Sequence, residues 1–183
     1  MPAPGPIEIA VSGRSNVGKS SLLRILLNNR KLVRVSGKPG RTREINFFSL
    51  ETRELPPFIL ADLPGYGYAA VPTRLQEEWG DFVTHYLTTR PCLGAVLQLF
   101  DARREVYAYE REFIAWMSSI GKRIITVVTK VDKIPKTKWG QLRARYAKEL
   151  KGFGAPVLFS SEKDIGREDL WRRLQRELER ASH

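Results

Sequence analysis

The stretch from Gly13 to Ser21, GRSNVGKSS, constrains the fold more tightly than any other feature of this sequence. It fits GxxxxGKS, with Gly13, Gly18, Lys19 and Ser20 at the fixed positions. An apolar run (Ile7, Ile9, Val11) precedes it, and a helical pattern (Leu22, Leu23, Leu26, Leu27) follows it. A strand that turns directly into a helix points several backbone N–H groups at one spot, where the helix dipole adds partial positive charge. Such a turn holds a chain of phosphates. Glycine allows the bend and the close approach. Lys19 is placed to reach the β- and γ-phosphate oxygens, and the Ser20 hydroxyl to hold a bridging Mg²⁺.

Further motifs follow in a fixed order. Residues 28–43, NNRKLVRVSGKPGRTR, are rich in basic and turn-forming residues and have little periodicity, so they read as a long mobile loop beside the phosphate site. Within it, Thr42 is the candidate to complete a Mg²⁺ shell and grip a γ-phosphate. The apolar strand Phe58 to Ala61 ends in Asp62-Leu63-Pro64-Gly65. A carboxylate there needs a partner, since a buried unpaired charge is expensive. Mg²⁺ is the natural one, and Gly65 is placed to offer its N–H to the γ-phosphate. After Gly65, where some switches carry a water-orienting glutamine, stands Tyr66. Tyr66 to Ala69 read as a second mobile segment, ahead of an amphipathic helix from about Arg74 to Leu87 with Leu75, Trp79, Phe82 and Tyr86 on one side. His85, on that helix, reads as structural.

The strand Ile124 to Val128 ends in Thr129-Lys130-Val131-Asp132, which fits [NT]KxD. Its aspartate accepts two hydrogen bonds from guanine N1–H and the 2-amino group, while the lysine stem covers the base. Adenine offers no such donor pair, so the motif selects GTP over ATP. After the last apolar strand, Phe159-Ser160-Ser161 offers a backbone N–H to the guanine O6. Strands and helices alternate along the chain, which predicts one α/β domain over residues 1–183. It is built on a mostly parallel six-stranded sheet with helices on both faces and the nucleotide at the strands' C-terminal ends.

Composition narrows the setting. The 183 residues suffice for one well-buried core. Cys92 stands alone, which excludes an internal disulfide framework and reads as a small core residue. MPAPGP lacks the features of a signal peptide, no run is long enough for a membrane span, and the C-terminal Ala-Ser-His carries no prenylation cysteine. The expectation is a cytoplasmic monomer without a membrane partner. The net charge of +11, with a pI near 10.0, suggests a polyanionic partner. Two basic groups stand out: Arg30, Lys31, Arg34, Lys38, Arg41 and Arg43 in the first loop, and Lys133, Lys136, Lys138, Arg143 and Arg145 further on. The second group reads either as phosphate contacts or as a solvated helix face.

Taken together, GRSNVGKSS, KPGRTREINFF, DLPGYGYA, the Thr88 to Arg90 triplet, TKVDKIPKTKW and FSSEKDIG resemble the bacterial EngB/YsxC (YihA) family of GTPases, relatives of the Era group. The resemblance runs from about Ile7 to the last helix. It implies a Ras-like P-loop GTPase domain that binds GTP and GDP with Mg²⁺ and assists assembly of the large ribosomal subunit, and hence cell growth and division. Carried over by position, it makes Gly13, Arg14, Ser15, Asn16, Val17, Gly18, Lys19, Ser20 and Ser21 the phosphate-binding stretch. Gly40, Arg41, Thr42, Arg43 and Glu44 become the first switch segment and Asp62, Leu63, Pro64 and Gly65 the second. Thr129, Lys130, Val131 and Asp132 become the base-recognition motif, and Phe159, Ser160 and Ser161 the last contact. Ser20, Thr42 and Asp62 are the implied Mg²⁺ ligands, and Lys19, Thr42, Gly65 and Asn16 the implied catalytic group. Asn16 resembles the asparagine of potassium-activated GTPases, where it helps hold K⁺; the alternative is a loop residue bonding its own backbone. The chain departs from the family in a short N-terminus and in Ala70-Val71-Pro72 after GYGYA. Slow hydrolysis by a switch is the expectation, and a GTP-binding scaffold with little hydrolysis and a non-ribosomal partner remains the alternative.

Overall fold

The strand leading into GRSNVGKSS, β1 (Glu8–Gly13), is buried along its whole length, as its apolar alternation with Ala10 and Ser12 allows in a sheet covered on both sides. The computed structural model describes residues 5–27, 32–36, 45–52, 55–66 and 72–181. After β1 come α1 (Lys19–Leu27), β2 (Leu32–Ser36), β3 (Asn46–Leu50), β4 (Phe58–Asp62) and α2 (Pro72–Thr89). They are followed by β5 (Leu93–Asp101), α3 (Ala108–Ser119), β6 (Arg123–Thr129), α4 (Trp139–Glu149), β7 (Val157–Leu158) and α5 (Arg167–Ala181). The sheet order is β2-β3-β4-β1-β5-β6-β7. Strands β4, β1, β5, β6 and β7 run parallel, and β3 and β2 join antiparallel at one edge.

Six of these strands are those the sequence pattern predicts. The seventh, β2, corrects the reading of residues 28–43 as loop: Leu32–Ser36 pairs with β3 in register Leu32↔Leu50. An edge strand with a register shift has only one partner, so its residues need not alternate cleanly.

Helices cover both faces. On one side, Leu22, Leu23 and Leu26 of α1 and Leu170, Leu174 and Leu178 of α5 pack on Ile9, Val11, Leu60 and Leu97. On the other, α2, α3 and α4 bury Tyr86, Phe113, Met117 and Tyr146 against Val96 and Phe100. Among the described side chains of α2, Val83, Tyr86 and Leu87 face the core, whereas Phe82 is 43% exposed, contrary to the expected stripe. The side chains of Leu75 and Trp79 lie outside the described residues. His85 is exposed, and Cys92 is only partly buried rather than a core residue.

Beneath the sheet, at the start of β1, Glu8 is fully buried and meets Arg90, itself 6% exposed. The guanidinium grips both carboxylate oxygens, with Nη2 2.6 Å from Oε1, and the Tyr86 hydroxyl donates to Oε2 at 2.9 Å. A charge taken out of water demands this many partners. Tyr86→Phe keeps the ring and removes one bond to the carboxylate. The expected cost is about 2 kcal/mol, read as a melting temperature lower by roughly 4–8 °C; an unchanged melting temperature would contradict this role.

Candidate functional site

The parallel strands deliver their motifs to one edge of the sheet, at their C-terminal ends, where α/β proteins bind ligands. Gly13 closes β1, Asp62 closes β4 beside it (Val11↔Asp62), Asp101 closes β5, Thr129 closes β6, and Ser160 follows β7. Two glycines make the turn after β1 possible. A Cβ on Gly13 would meet Val17 Cγ1 at 2.8 Å, and Gly18 has a φ of +106°, which side chains resist.

A cleft there is lined by Arg14, Ser15, Asn16 and Gly18 through Ser21, with Gly65 and Lys130 at its sides. The Lys19 ammonium contacts Asp62 Oδ1, so the two charges assigned to phosphate and Mg²⁺ stand face to face. Gly65 abuts the loop: a Cβ on it would lie 3.2 Å from Ser15 Oγ.

The Thr129–Asp132 segment, the expected base-recognition motif, is fastened to the loop after β1. The Thr129 hydroxyl lies 2.6 Å from the Val17 carbonyl oxygen and 2.9 Å from that of Phe100. Lys130, in the left-handed region at φ +59°, donates to the Asn16 carbonyl at 2.5 Å and pairs with Asp101 Oδ2 at 3.0 Å. Its head thus fixed, the lysine stem spans the cleft. Burial alone would raise the Asp101 carboxyl, but hydrogen bonds from Arg103 and Lys130 outweigh it and hold the group well below the usual carboxylate range. Asp132 shows the same balance: burial opposes its charge, and the Ser160 hydroxyl (2.6 Å to Oδ1) and Lys133 (3.1 Å to Oδ2) win. The carboxylate stays ionised as an acceptor.

Several expected contacts change role. Val17, Leu63, Val131 and Phe159 have side chains at most 3% exposed, so they belong to the core and reach a ligand only through backbone, if at all. Thr129, 2% exposed, positions the loop rather than facing the cleft. Ser160 spends its N–H on the Ile165 carbonyl (3.0 Å) and its hydroxyl on Asp132, which leaves the Ser161 N–H as the candidate for guanine O6. Arg14 turns toward α3, its Cζ 4.5 Å from the centre of the Tyr107 ring. Pro64 is partly buried. Gly40, Arg41, Thr42, Arg43 and Glu44 lie outside the described residues, as does residue range 67–71.

Tyr66 corrects, at its first position, the reading of residues 66–69 as a mobile segment. It is 2% exposed, accepts a hydrogen bond from Gln98 Nε2 at 2.6 Å, and packs edge-on against Tyr109. Its carbonyl accepts the Ser15 N–H at 3.0 Å, which ties the end of the Asp62–Gly65 segment to the phosphate loop. Nearby, Glu110 is 3% exposed, and burial pushes its carboxyl up to about 7 although it accepts the Tyr107 N–H at 2.9 Å. A carboxyl that keeps its proton longer when folded binds more protons in the native state between its ordinary pKa and 7, so stability falls as pH rises through that window. Glu110→Gln should flatten the decline between about pH 5 and 7, measured by denaturant unfolding; an unchanged pH profile would contradict the assignment.

Comparison with known proteins supplies the family. The model of the 50S ribosome-binding GTPase family matches residues 8–130. The "Probable GTP-binding protein EngB" of Geobacter metallireducens is 40% identical over 176 residues, covering 95% of this chain and 84% of that protein. Its counterpart in Syntrophotalea carbinolica is 43% identical over 176 residues, covering 93% and 82%. Among solved structures, an engB GTP-binding protein superposes with a TM-score of 0.72 at 21% identity, covering 94% of this chain and 99% of the other. Era in complex with MgGDPNP and nucleotides 1506-1542 of 16S ribosomal RNA gives the same score at 24% identity, covering 93% and 56%, and so shares the fold. With the GxxxxGKS loop, the strand-end Asp62 and the Asp132 carboxylate all in place on that fold, this chain belongs to the EngB family of GTP-binding P-loop GTPases.

Proposed function

We propose that this chain is one GTPase domain that hydrolyses GTP slowly with Mg²⁺ and acts as a nucleotide-controlled switch in assembly of the large ribosomal subunit. The observation that carries the reading is the Lys130 bridge. It joins the phosphate loop at Asn16 to the strand ends that present Asp132, so one triphosphate with a guanine base fits both halves of the cleft. A ribosomal partner is favoured by the 50S ribosome-binding description of the matching family and by the net charge of +11. Era, of the same fold, has been solved with 16S ribosomal RNA.

The donors present suit Mg²⁺. Ser20 and Asp62 offer hard oxygen ligands, and among the described residues no group of three or more His, Cys, Asp or Glu could hold a metal unaided. Phosphate and water oxygens therefore complete the shell, which is how this small cation prefers to bind. Thr42 is the further proposed ligand. When bound, the ion neutralises charge on the phosphate oxygens. Lys19 then exchanges its contact with Asp62 for the phosphates, and each charge keeps an opposite partner. The loop amides and Lys19 orient and neutralise the transferring group.

With Tyr66 locked in the core, the position after Gly65 supplies no water-orienting side chain. Single-turnover hydrolysis by the isolated chain is expected at the unassisted switch value, roughly 10⁻⁴ to 10⁻³ per second; many turnovers per second would contradict the reading, and none at all would favour a scaffold. Asn16 bears on rate as well. Its φ is +64°, and its carboxamide bonds no described residue, which leaves the side chain available to an ion. A K⁺ site there predicts faster hydrolysis in KCl than in NaCl, lost in Asn16→Ala; equal rates in both salts would exclude it.

A further inference from the structure

The excess positive charge is not spread evenly over this molecule. From Lys133 to Ser161 the chain carries seven Lys and Arg against one carboxylate, a surplus of six within the total of +11. Helix α5 makes the contrast: its five arginines are interleaved with four carboxylates, the mixed pattern of a solvated surface.

The structure divides the cations of this stretch by what they touch. Lys133 is held by Asp132 and by Glu162 at 2.7 Å. Arg145 donates to the Arg104 carbonyl and lies over the Tyr146 ring. The one carboxylate, Glu149, pairs with Arg111 at 3.1 Å. Lys136, Lys138, Arg143, Lys148 and Lys151 are exposed, and their side chains make no ion pair or hydrogen bond with any described residue. Leu142 and Tyr146 bury the inner face of α4, so these cations stand around its outer face and its two ends.

Between them the helix surface is low. Gly140, Ala144 and Ala147 are exposed, and a Cβ on Gly140 would meet nothing within 4 Å. A partner can therefore approach the helix closely along its length of about 16 Å. Five unpaired cations flanking a smooth strip suit a polyanion whose charges recur at short intervals. An aromatic platform for unstacked bases is missing from this face, since Trp139 is partly buried and donates its indole N–H to the Ile134 carbonyl. Exposed large apolar residues that would enter a bilayer are missing too, Phe82 and Tyr107 lying on α2 and just before α3.

Resting on the ribosomal reading above, we propose that the outer face of α4, with Lys136, Lys138, Arg143, Lys148 and Lys151, docks the phosphate backbone of folded ribosomal RNA without reading its bases. The face begins six residues after Lys130, so RNA bound there lies beside the guanine end of the cleft. Recognition of this kind is by charge and shape, and it weakens steeply with salt.

The test compares wild type, the quadruple variant Lys136→Gln/Lys138→Gln/Arg143→Gln/Lys148→Gln, and the α5 control Arg172→Gln/Arg176→Gln. Each is titrated against purified large subunits, a plain RNA duplex and anionic phospholipid vesicles across a KCl series, after GDP affinity is shown to be unchanged. The expected result is binding of the quadruple variant to subunits and duplex weakened more than about tenfold, with a log–log salt slope shallower by roughly three to four, and a control close to wild type. If wild type binds subunits and the quadruple variant matches it in affinity and slope, the α4 assignment is overturned while the ribosomal reading stands. If wild type ignores subunits, that reading fails; the duplex arm then supports the face if retention depends on α4 and overturns it if not. Binding that depends on α4 with vesicles but not with RNA also overturns the proposal.

Discussion

Lys19→Ala should lower single-turnover GTP hydrolysis by about 10²–10³-fold while the chain remains folded. Lys19 is the first residue of α1, at the point where the turn after β1 aims its amides into the cleft. Its ammonium is a mobile donor beside the fixed backbone amides, able to follow charge that builds on the β- and γ-phosphate oxygens during transfer. The substitution has a second consequence: Asp62, 20% exposed, loses the cation it contacts. Alanine suits a helix start, and α1 keeps Leu22, Leu23 and Leu26 in the core, so stability should change little beside activity. Circular dichroism alongside the kinetics separates the two effects. A variant that hydrolysed GTP at the wild-type rate would remove Lys19 from the mechanism.

Asp132→Asn should exchange guanine for xanthine. A carboxylate offers about four lone-pair sites; here Ser160 and Lys133 use one on each oxygen, which leaves one on each for the guanine N1–H and 2-amino donors. Asparagine keeps one acceptor and presents an N–H₂ that opposes the guanine amino group, whereas xanthine carries a carbonyl at that position and accepts from it. One charge-assisted bond lost, at about 1.5–3 kcal/mol, and the other reduced to a neutral bond, at about 1 kcal/mol, correspond to GDP binding weaker by about 10²–10³-fold, with xanthosine diphosphate gaining. Competition binding with the two diphosphates reads the switch directly. Unchanged preference for GDP would show that Asp132 does not meet the base.

Which parts of this site are legible in the sequence follows from where the physics is local. The phosphate loop, Asp62 to Gly65 and Thr129 to Asp132 each join a strand end to a turn within a few residues, so spacing alone places them. Partners distant in sequence leave no such mark. The Ser160 hydroxyl on Asp132, Asp101 beneath Lys130, and Glu8 with Arg90, 82 residues apart, are seen only once the strands align. Tyr66 misleads for a related reason: its neighbours in sequence suggest a switch loop, while Gln98, Tyr109 and Phe113 draw its ring into the core. Helix α4 is hidden by composition, since only Leu142 and Tyr146 face inward among eleven mostly polar or small residues. Strand β2 is hidden by Arg34 and by its basic and turn-forming neighbours in sequence, and pairing with β3 decides it.

The central claim is that GTP binding in this cleft controls engagement of the large ribosomal subunit. The measurement that meets it most directly is co-sedimentation with purified large subunits in the presence of a non-hydrolysable GTP analogue, GDP or no nucleotide, over a series of salt concentrations. The account predicts preferential pelleting with the GTP analogue that survives moderate salt. Binding indifferent to nucleotide and lost as soon as salt rises would contradict it, leaving a basic GTPase whose partner lies elsewhere.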